Sequence, residues 1–354
     1  MSRWIRRSSV MAVLTLFVSA CTAGAPGFAR SAPDSFAPLV KRVMPAVVNI
    51  AVTETVTGGE VLSELPPELR DTPLGREFRK RFGNRKEQTL GAGSGFIIDS
   101  SGLIVTNNHV VGHADKITVS LPDGTRLPAT VIGSDELTDV ALIKVIASRS
   151  LPSVQWGDSR QAEVGDWVLA GGNPFGLGGT VTAGIISARG RDLGAGPFDN
   201  FLQLDAPINP GNSGGPIFNM DGQVIAISTA IVSPSGGSVG IGFATPSELV
   251  IPIIEQLRTS GHIERGWLGV SVQDSDNGVT VAGVEATSPA ARAGLQKGDM
   301  ILAVNGEHVD TSRVLIRTVA AQAPGKSVSL SIRRQGRAMD ISITVGQRPP
   351  ESHG

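Results

Sequence analysis

In Gly211-Asn212-Ser213-Gly214-Gly215-Pro216 a hydroxyl sits between glycines. A serine becomes a useful nucleophile when a base takes its proton, the backbone around it turns sharply, and nearby N–H groups face the oxyanion that develops. The flanking glycines permit such a turn. The N–H groups along Gly211, Asn212 and Ser213 are the candidate oxyanion donors, each worth about 3 kcal/mol of barrier. Read alone, the hexapeptide is equally a glycine-rich turn with a surface serine. A base must come from the five histidines, His109, His113, His262, His308 and His353. Only His109 follows an apolar strand, Leu103-Ile104-Val105-Thr106; the others read as solvated residues in loops or near an end. An imidazole base needs its second nitrogen held by a buried acceptor, usually a carboxylate. Asp139, in Leu137-Thr138-Asp139-Val140-Ala141-Leu142, leads into an apolar strand and is drawn inward with it. Asp135 and Glu136, just before it, read as solvated turn residues, and Asp205 as structural. The order His109, Asp139, Ser213 is one of several chain orders known for this chemistry. No histidine has metal-ligand spacing with cysteine or carboxylates, so neither a metal nor another cofactor is expected.

Three residues so far apart need a scaffold. The chain has 354 residues, 40% hydrophobic and 18% charged, with a net charge of -1. That length predicts two domains after a leader, and the charge balance gives no field that would draw in nucleic acid. Forty-four glycines, 22 prolines and 4% aromatics predict many short strands and tight turns. From Gly91 to Phe243 short apolar runs alternate with turn signals: Gly95–Ile98, Leu103–Thr106, Ile117–Leu121, Ala129–Ile132, Val140–Val145, Trp167–Ala170, Gly184–Ser187, Phe201–Leu204 and Gln223–Ala230. With Asp123-Gly124 and Asp221-Gly222 at turns, this reads as a β-barrel series rather than βαβ units. Phe36 to Thr53 reads as a first strand and Glu54 to Leu90 as a long surface loop. Ser247 to Ser260 has helical apolar spacing behind Pro246 and closes the first domain. Gly266 to Gly346 reads as a small α+β module, with a helix over Thr311 to Ala321 and a hairpin around Gln335-Gly336.

The leader has Arg3, Arg6 and Arg7 before an apolar run from Val10 to Ala20, the pattern of an export signal over residues 1–21. Val18-Ser19-Ala20-Cys21 fits either a small-residue cleavage site or a lipoprotein box, the latter making Cys21 a membrane tether. Cys21 is the one cysteine; without it the mature protein has no thiol at all, so a disulfide framework and thiol catalysis are then both excluded. Residues 22–35 read as a tether.

The phrases around His109, Asp139 and Ser213 resemble the HtrA (Deg) family of trypsin-like serine proteases with PDZ domains. So do Gly95-Phe96-Ile97-Ile98-Asp99, Gly172-Asn173-Pro174-Phe175-Gly176-Leu177, Gly184-Ile185-Ile186-Ser187-Ala188-Arg189-Gly190-Arg191 and Gly240-Ile241-Gly242-Phe243-Ala244-Thr245-Pro246-Ser247. The resemblance implies a mainly β fold: a chymotrypsin-like double β-barrel over 36–258, then a PDZ domain over 259–348. It implies an exported serine endopeptidase of envelope protein quality control, periplasmic, cutting unfolded or misfolded proteins. By resemblance Ile208, Val232 and Ile241 shape a pocket for a small aliphatic residue, and Ser228, Thr229 and Ala230 pair with an extended substrate. Arg191 and the loop to Asn200 resemble the region that senses PDZ or substrate occupancy. Pro207 stands where the family usually has a smaller residue.

Arg265-Gly266-Trp267-Leu268-Gly269-Val270 and Ser288-Pro289-Ala290-Ala291-Arg292-Ala293-Gly294-Leu295-Gln296-Lys297-Gly298-Asp299 resemble one PDZ domain. The N–H groups around Trp267, Leu268 and Gly269 would then hold a peptide C-terminus, and Val270 to Val272 would add the peptide as a strand. Ser35-Phe36-Ala37-Pro38-Leu39-Val40 resembles the family's N-terminal contact segment, implying a homotrimer or a multiple of trimers. A non-enzymatic binder, either a PDZ scaffold or a holding chaperone, would be expected to have lost one of Ser213, His109 or Asp139; all three are present.

Overall fold

The computed structural model describes residues 33–57, 72, 86–174, 178–194, 196–234, 236–275 and 278–347. The export signal, Cys21, most of the tether and most of the segment 58–85 lie outside them. Where Phe36 to Thr53 reads as strand, the first half is helical. Helix α1, Ala37–Val43, starts with Pro38 in its first turn and ends in a 3-10 turn, Met44–Ala46. Strand β1 then runs Val47–Thr57. Proline in the first turn and Lys41 and Arg42 in the last suit a helix, which the β-branched count alone obscured.

Strands β1, β2 (Lys86–Asp99), β3 (Leu103–Thr106), β4 (Lys116–Ser120), β5 (Arg126–Asp135) and β6 (Val140–Val145) close a barrel in the order β1-β2-β3-β6-β5-β4. The ends of the expected surface loop are therefore strand, since β1 continues to Thr57 and β2 begins at Lys86. A short helix α2, Asn108–Val111, follows β3. A second barrel closes as β10-β11-β12-β9-β8-β7 from β7 (Trp167–Gly172), β8 (Thr180–Arg191), β9 (Phe201–Leu204), β10 (Pro216–Phe218), β11 (Val224–Ile231) and β12 (Gly242–Pro246). Strands β10 and β12 escape the sequence pattern. The first is three residues long and the second is buried on both faces, so neither alternates. Full closure leaves no edges to protect. Helix α3, Ser247–Ser260, buries Val250, Ile253, Ile254 and Leu257 and packs against β5 and β6. The expected division at residue 258 falls in its last turn.

The C-terminal module has its own core, including Val279, Ile301, Val304, Leu315, Leu330 and Ile343. Its main sheet runs β14 (Val270–Ser275), β15 (Gly278–Val284), β16 (Met300–Val304), β18 (Ser327–Arg334), β19 (Arg337–Thr344), with β17 (Glu307–His308) on β16. β13 (Gly266–Trp267) pairs with β20 (Gly346–Gln347). Helices α4 (Pro289–Arg292) and α5 (Ser312–Ala320) complete it, capped by Ser288 and Thr311 side chains. β14 is an edge strand.

Candidate active site

Antiparallel neighbours bring the end of one strand beside the start of the next. β3 pairs with β6 from Leu103↔Lys144 to Thr106↔Ala141, so residues just after β3 meet residues just before β6. Those residues carry His109 and Asp139. His109 Nδ1 lies 2.7 Å from Asp139 Oδ2, and the His109 N–H donates to Asp139 Oδ1 at 2.8 Å. The carboxylate therefore holds both ring and backbone of one residue. Asp139 takes φ +55°, the left-handed region, at a cost of about 1–2 kcal/mol. Its carbonyl is pinned there by Asn108 N–H at 3.2 Å and Asn107 Nδ2 at 2.7 Å.

Ser213 arrives from the other barrel, just ahead of β10. Its carbonyl accepts Ser94 N–H of β2 at 2.8 Å. Next to it, Gly214 N–H donates to Ser228 O, and Ser228 N–H to Gly215 O, both at 2.8 Å. A Cβ on Gly214 would lie 2.3 Å from Ser94 O and Thr106 Oγ1, and its φ is +81°; only glycine fits. Ser213 Oγ makes no hydrogen bond to His109 among the described residues; such catalytic hydrogen bonds often tighten only around bound substrate.

The N–H groups of Gly211 and Ser213 have no intramolecular acceptor among the described residues, while Asn212 N–H donates to Asn209 O at 3.0 Å. Two donors are thus open where three were expected. Gly211 takes φ +96°. The orphaned buried side-chain atoms among the described residues are Asn107 Oδ1, Asn108 Oδ1, Asn212 Oδ1 and Ser228 Oγ; three flank His109 or Ser213. Concentration of unsatisfied polar groups at one place is typical of strained functional sites.

Ile208 is buried and packs beneath Gly242, where a Cβ would meet its side chain at 2.8 Å. Val232 N–H donates to Ile241 O at 3.2 Å, and both side chains are exposed. Pro207 O accepts the Thr182 hydroxyl at 2.8 Å. Asp205 accepts Ile185 N–H at 2.6 Å. Both backbone groups of Ser228 are taken by the nucleophile turn, leaving Thr229 and Ala230 at a bulge of β11.

Asp135 corrects the sequence reading. It is buried and holds Arg265 bidentately, at 2.5 and 2.6 Å, with the Thr138 hydroxyl as a further donor. The Arg265 guanidinium also stacks 4.6 Å over the Phe198 ring. Arg265 lies more than a hundred residues away in the chain, so no local pattern could announce the pair; Glu136 beside it is exposed. The loop bearing Phe198 is gripped again from α5: Arg317 donates to Pro197 O at 2.7 Å and to Asp199 O, and Arg313 pairs with Asp192. Arg191 Nε donates to Gln203 Oε1 at 2.8 Å.

In the C-terminal module Leu268 O accepts Ala290 N–H and Gly269 O accepts Glu285 N–H. The N–H groups of Leu268 and Gly269 have no intramolecular acceptor among the described residues. Trp267 pairs with Gly346, and Val270 opposes Val284. Gly269 has φ +75°, and a Cβ there would fall 2.2 Å from Ser288 Cβ.

Residues 93–227 match the trypsin-like peptidase domain and residues 266–345 the PDZ domain. A Brucella suis protein named as a probable periplasmic DegP-like serine endoprotease is 46% identical over 353 residues, covering 89% of this chain and 69% of that one. One of the same name from Halomonas elongata is 40% identical, covering 100% and 78%. Among solved structures, a variant of the HtrA-type protease AlgW with a decapeptide has a TM-score of 0.81 at 39% identity, covering 90% of this chain and 99% of that one. A serine endoprotease from Yersinia pestis has 0.70 at 34%, covering 90% and 100%. Two closed barrels followed by a PDZ domain, matched at this identity over most of both partners, mean that the chain belongs to the HtrA family and is a periplasmic serine endopeptidase.

Proposed function

We propose that Ser213, His109 and Asp139 form the catalytic triad of an endopeptidase for unfolded or misfolded envelope proteins. The observation that carries this is the double hold of Asp139 on His109. With Nδ1–H fixed on the carboxylate, Nε2 is the free base. It takes the Ser213 proton as Oγ attacks the scissile carbonyl, and returns it to the leaving amine. The oxyanion accepts from Gly211 and Ser213 N–H, and water then hydrolyses the acyl-enzyme with His109 again as base. Thr229 and Ala230 pair with the substrate strand, and Ile208, Val232 and Ile241 receive a small aliphatic side chain. Strand pairing selects extended chain, hence unfolded substrates.

The protease domain spans 36–258 and the PDZ domain 259–348. The open Leu268 and Gly269 N–H groups suit a C-terminal carboxylate, with the edge of β14 taking the peptide as a strand; the decapeptide in the AlgW structure is in keeping with this. Control passes through the loop 192–200, gripped by Arg265, Arg313 and Arg317. The chain assembles as a homotrimer through Ser35–Val40. The test is cleavage of an unfolded casein-type substrate by the purified mature chain, beside Ser213→Ala, with and without a peptide ending in hydrophobic residues. Activity abolished by the substitution and raised by the peptide is expected. No cleavage by the folded, assembled chain in any condition would favour a binding protein.

A further inference from the structure

Ser94 is fully buried in β2, and four hydrogen bonds meet on it. Its hydroxyl donates to Gly211 O at 2.6 Å and accepts Asn173 N–H at 2.8 Å. Its backbone N–H donates to Ser213 O at 2.8 Å, and its carbonyl accepts the Thr106 hydroxyl at 2.8 Å. Asn49, opposite Ser94 in the β1–β2 register, completes the cluster: its Nδ2 donates to Asn173 O at 2.9 Å. Asn173 is thus held at both its N–H and its carbonyl, and the Ser94 hydroxyl has one fixed donor and one fixed acceptor.

We propose that Ser94 is a positioning residue for the oxyanion donors; the inference rests on reading the Gly211 and Ser213 N–H groups as those donors. Gly211 sits at positive φ, where glycine rotates with little penalty in either sense. The peptides around it therefore need an external lock if their N–H groups are to stay preorganised, and preorganisation is where oxyanion stabilisation comes from. Ser94 supplies it one peptide further along: it holds the carbonyls that follow the donor N–H groups across the Cα of Gly211 and of Ser213, one with its side chain and one with its backbone, and so fixes where both donor residues sit. The hold crosses the seam, from a strand of the first barrel to a loop of the second.

Only the side-chain arm can be removed by substitution. Ser94→Ala takes away the donor to Gly211 O and leaves Asn173 N–H unpartnered. The measurement compares kcat and KM on a short peptide substrate with the dissociation constant of a peptide boronic acid carrying the P1 residue that the parent prefers. A boronate bound to Ser213 is tetrahedral and reads the oxyanion site; KM reads the rest. Deleting an oxyanion donor outright costs about 100–1,000-fold in kcat in a related chemistry, so loosening one is expected to cost about 10–100-fold. Boronate affinity is expected to fall by the same factor, with KM within about threefold. Ser94→Cys keeps the volume and a weak donor; it is expected to fall between, and gives the same reading should Ser94→Ala not fold. A folded variant with parental kcat and boronate affinity overturns the proposal, as does a loss confined to thermal stability. If the parent itself binds the boronate no more tightly than substrate, the oxyanion reading fails instead, and the inference with it.

Discussion

Arg265 and Asp135 form the buried pair that joins the first residues of the PDZ segment to the turn carrying Asp139. Their side chains are 11% and 5% exposed, and two bonds of 2.5 and 2.6 Å join them. Removing one partner leaves the other charge in the interior, a cost of about 3–5 kcal/mol, whereas replacing both by apolar groups of similar volume is often neutral. For a domain of this size each kcal/mol lowers Tm by about 2–4 °C. Arg265→Met alone should therefore lower the Tm of the protease transition by about 6–20 °C, and Asp135→Leu alone by a similar amount. Arg265→Met with Asp135→Leu should recover most of the loss. Calorimetry at 50 mM and 500 mM salt supplies the readings; a pair this buried should respond little to screening. Single variants within about 2 °C of the parent, or a double variant that simply adds the two losses, would falsify the argument. The same single variants should open the segment from His262 to Arg265 to limited proteolysis.

Asp139→Asn keeps a residue tolerant of positive φ but removes the charge that holds His109, so kcat should fall about 10,000-fold with the Tm nearly unchanged; stopped assays with excess enzyme measure it. Gly269→Ala would need a Cβ 2.2 Å from Ser288 Cβ at φ +75°, so affinity for a peptide with a free C-terminus should drop at least about tenfold on the scale of such steric strain, read by fluorescence anisotropy against an amidated control. Asp299 is held below the usual carboxylate range by its hydrogen bonds to Arg334, with Gln296 N–H adding to the effect. A depressed folded pKa gives stability that is present above the unfolded value near about 4 and is lost as pH falls through the folded one. Acid titration of PDZ-domain unfolding should show that loss, and Arg334→Gln should flatten it.

The residues of the proposed triad each carry a local signal: glycines around Ser213, a strand end before His109, a strand start after Asp139. The barrels were legible as a class from strand spacing, and the PDZ hairpin from strict alternation. What escaped detection is non-local. Helix α1 is rich in residues that suit strands, and it is proline placement with docking that decides it. Asp135 looks like any turn carboxylate until Arg265 folds over it. Ser94 lies in a glycine-spaced strand where nothing marks one small residue from the next; its importance exists only once the second barrel delivers Asn173 and Gly211. Asn212 N–H was counted as a donor, but the turn closing on Asn209 O uses it.

The division of the proposed triad between two barrels has a bearing on synthesis. His109 and Asp139 are complete once the first barrel closes at Val145, but the turn at Ser213 takes its shape from Ser228, on a strand made later, and from the seam with β2. Helix α3 then returns to lie on β5 and β6 of the first barrel. A chain that stops short of β11 therefore holds the proposed base and its carboxylate partner but not the strand that shapes the turn of the proposed nucleophile. Cleavage by the proposed triad is therefore expected only once both barrels are in place.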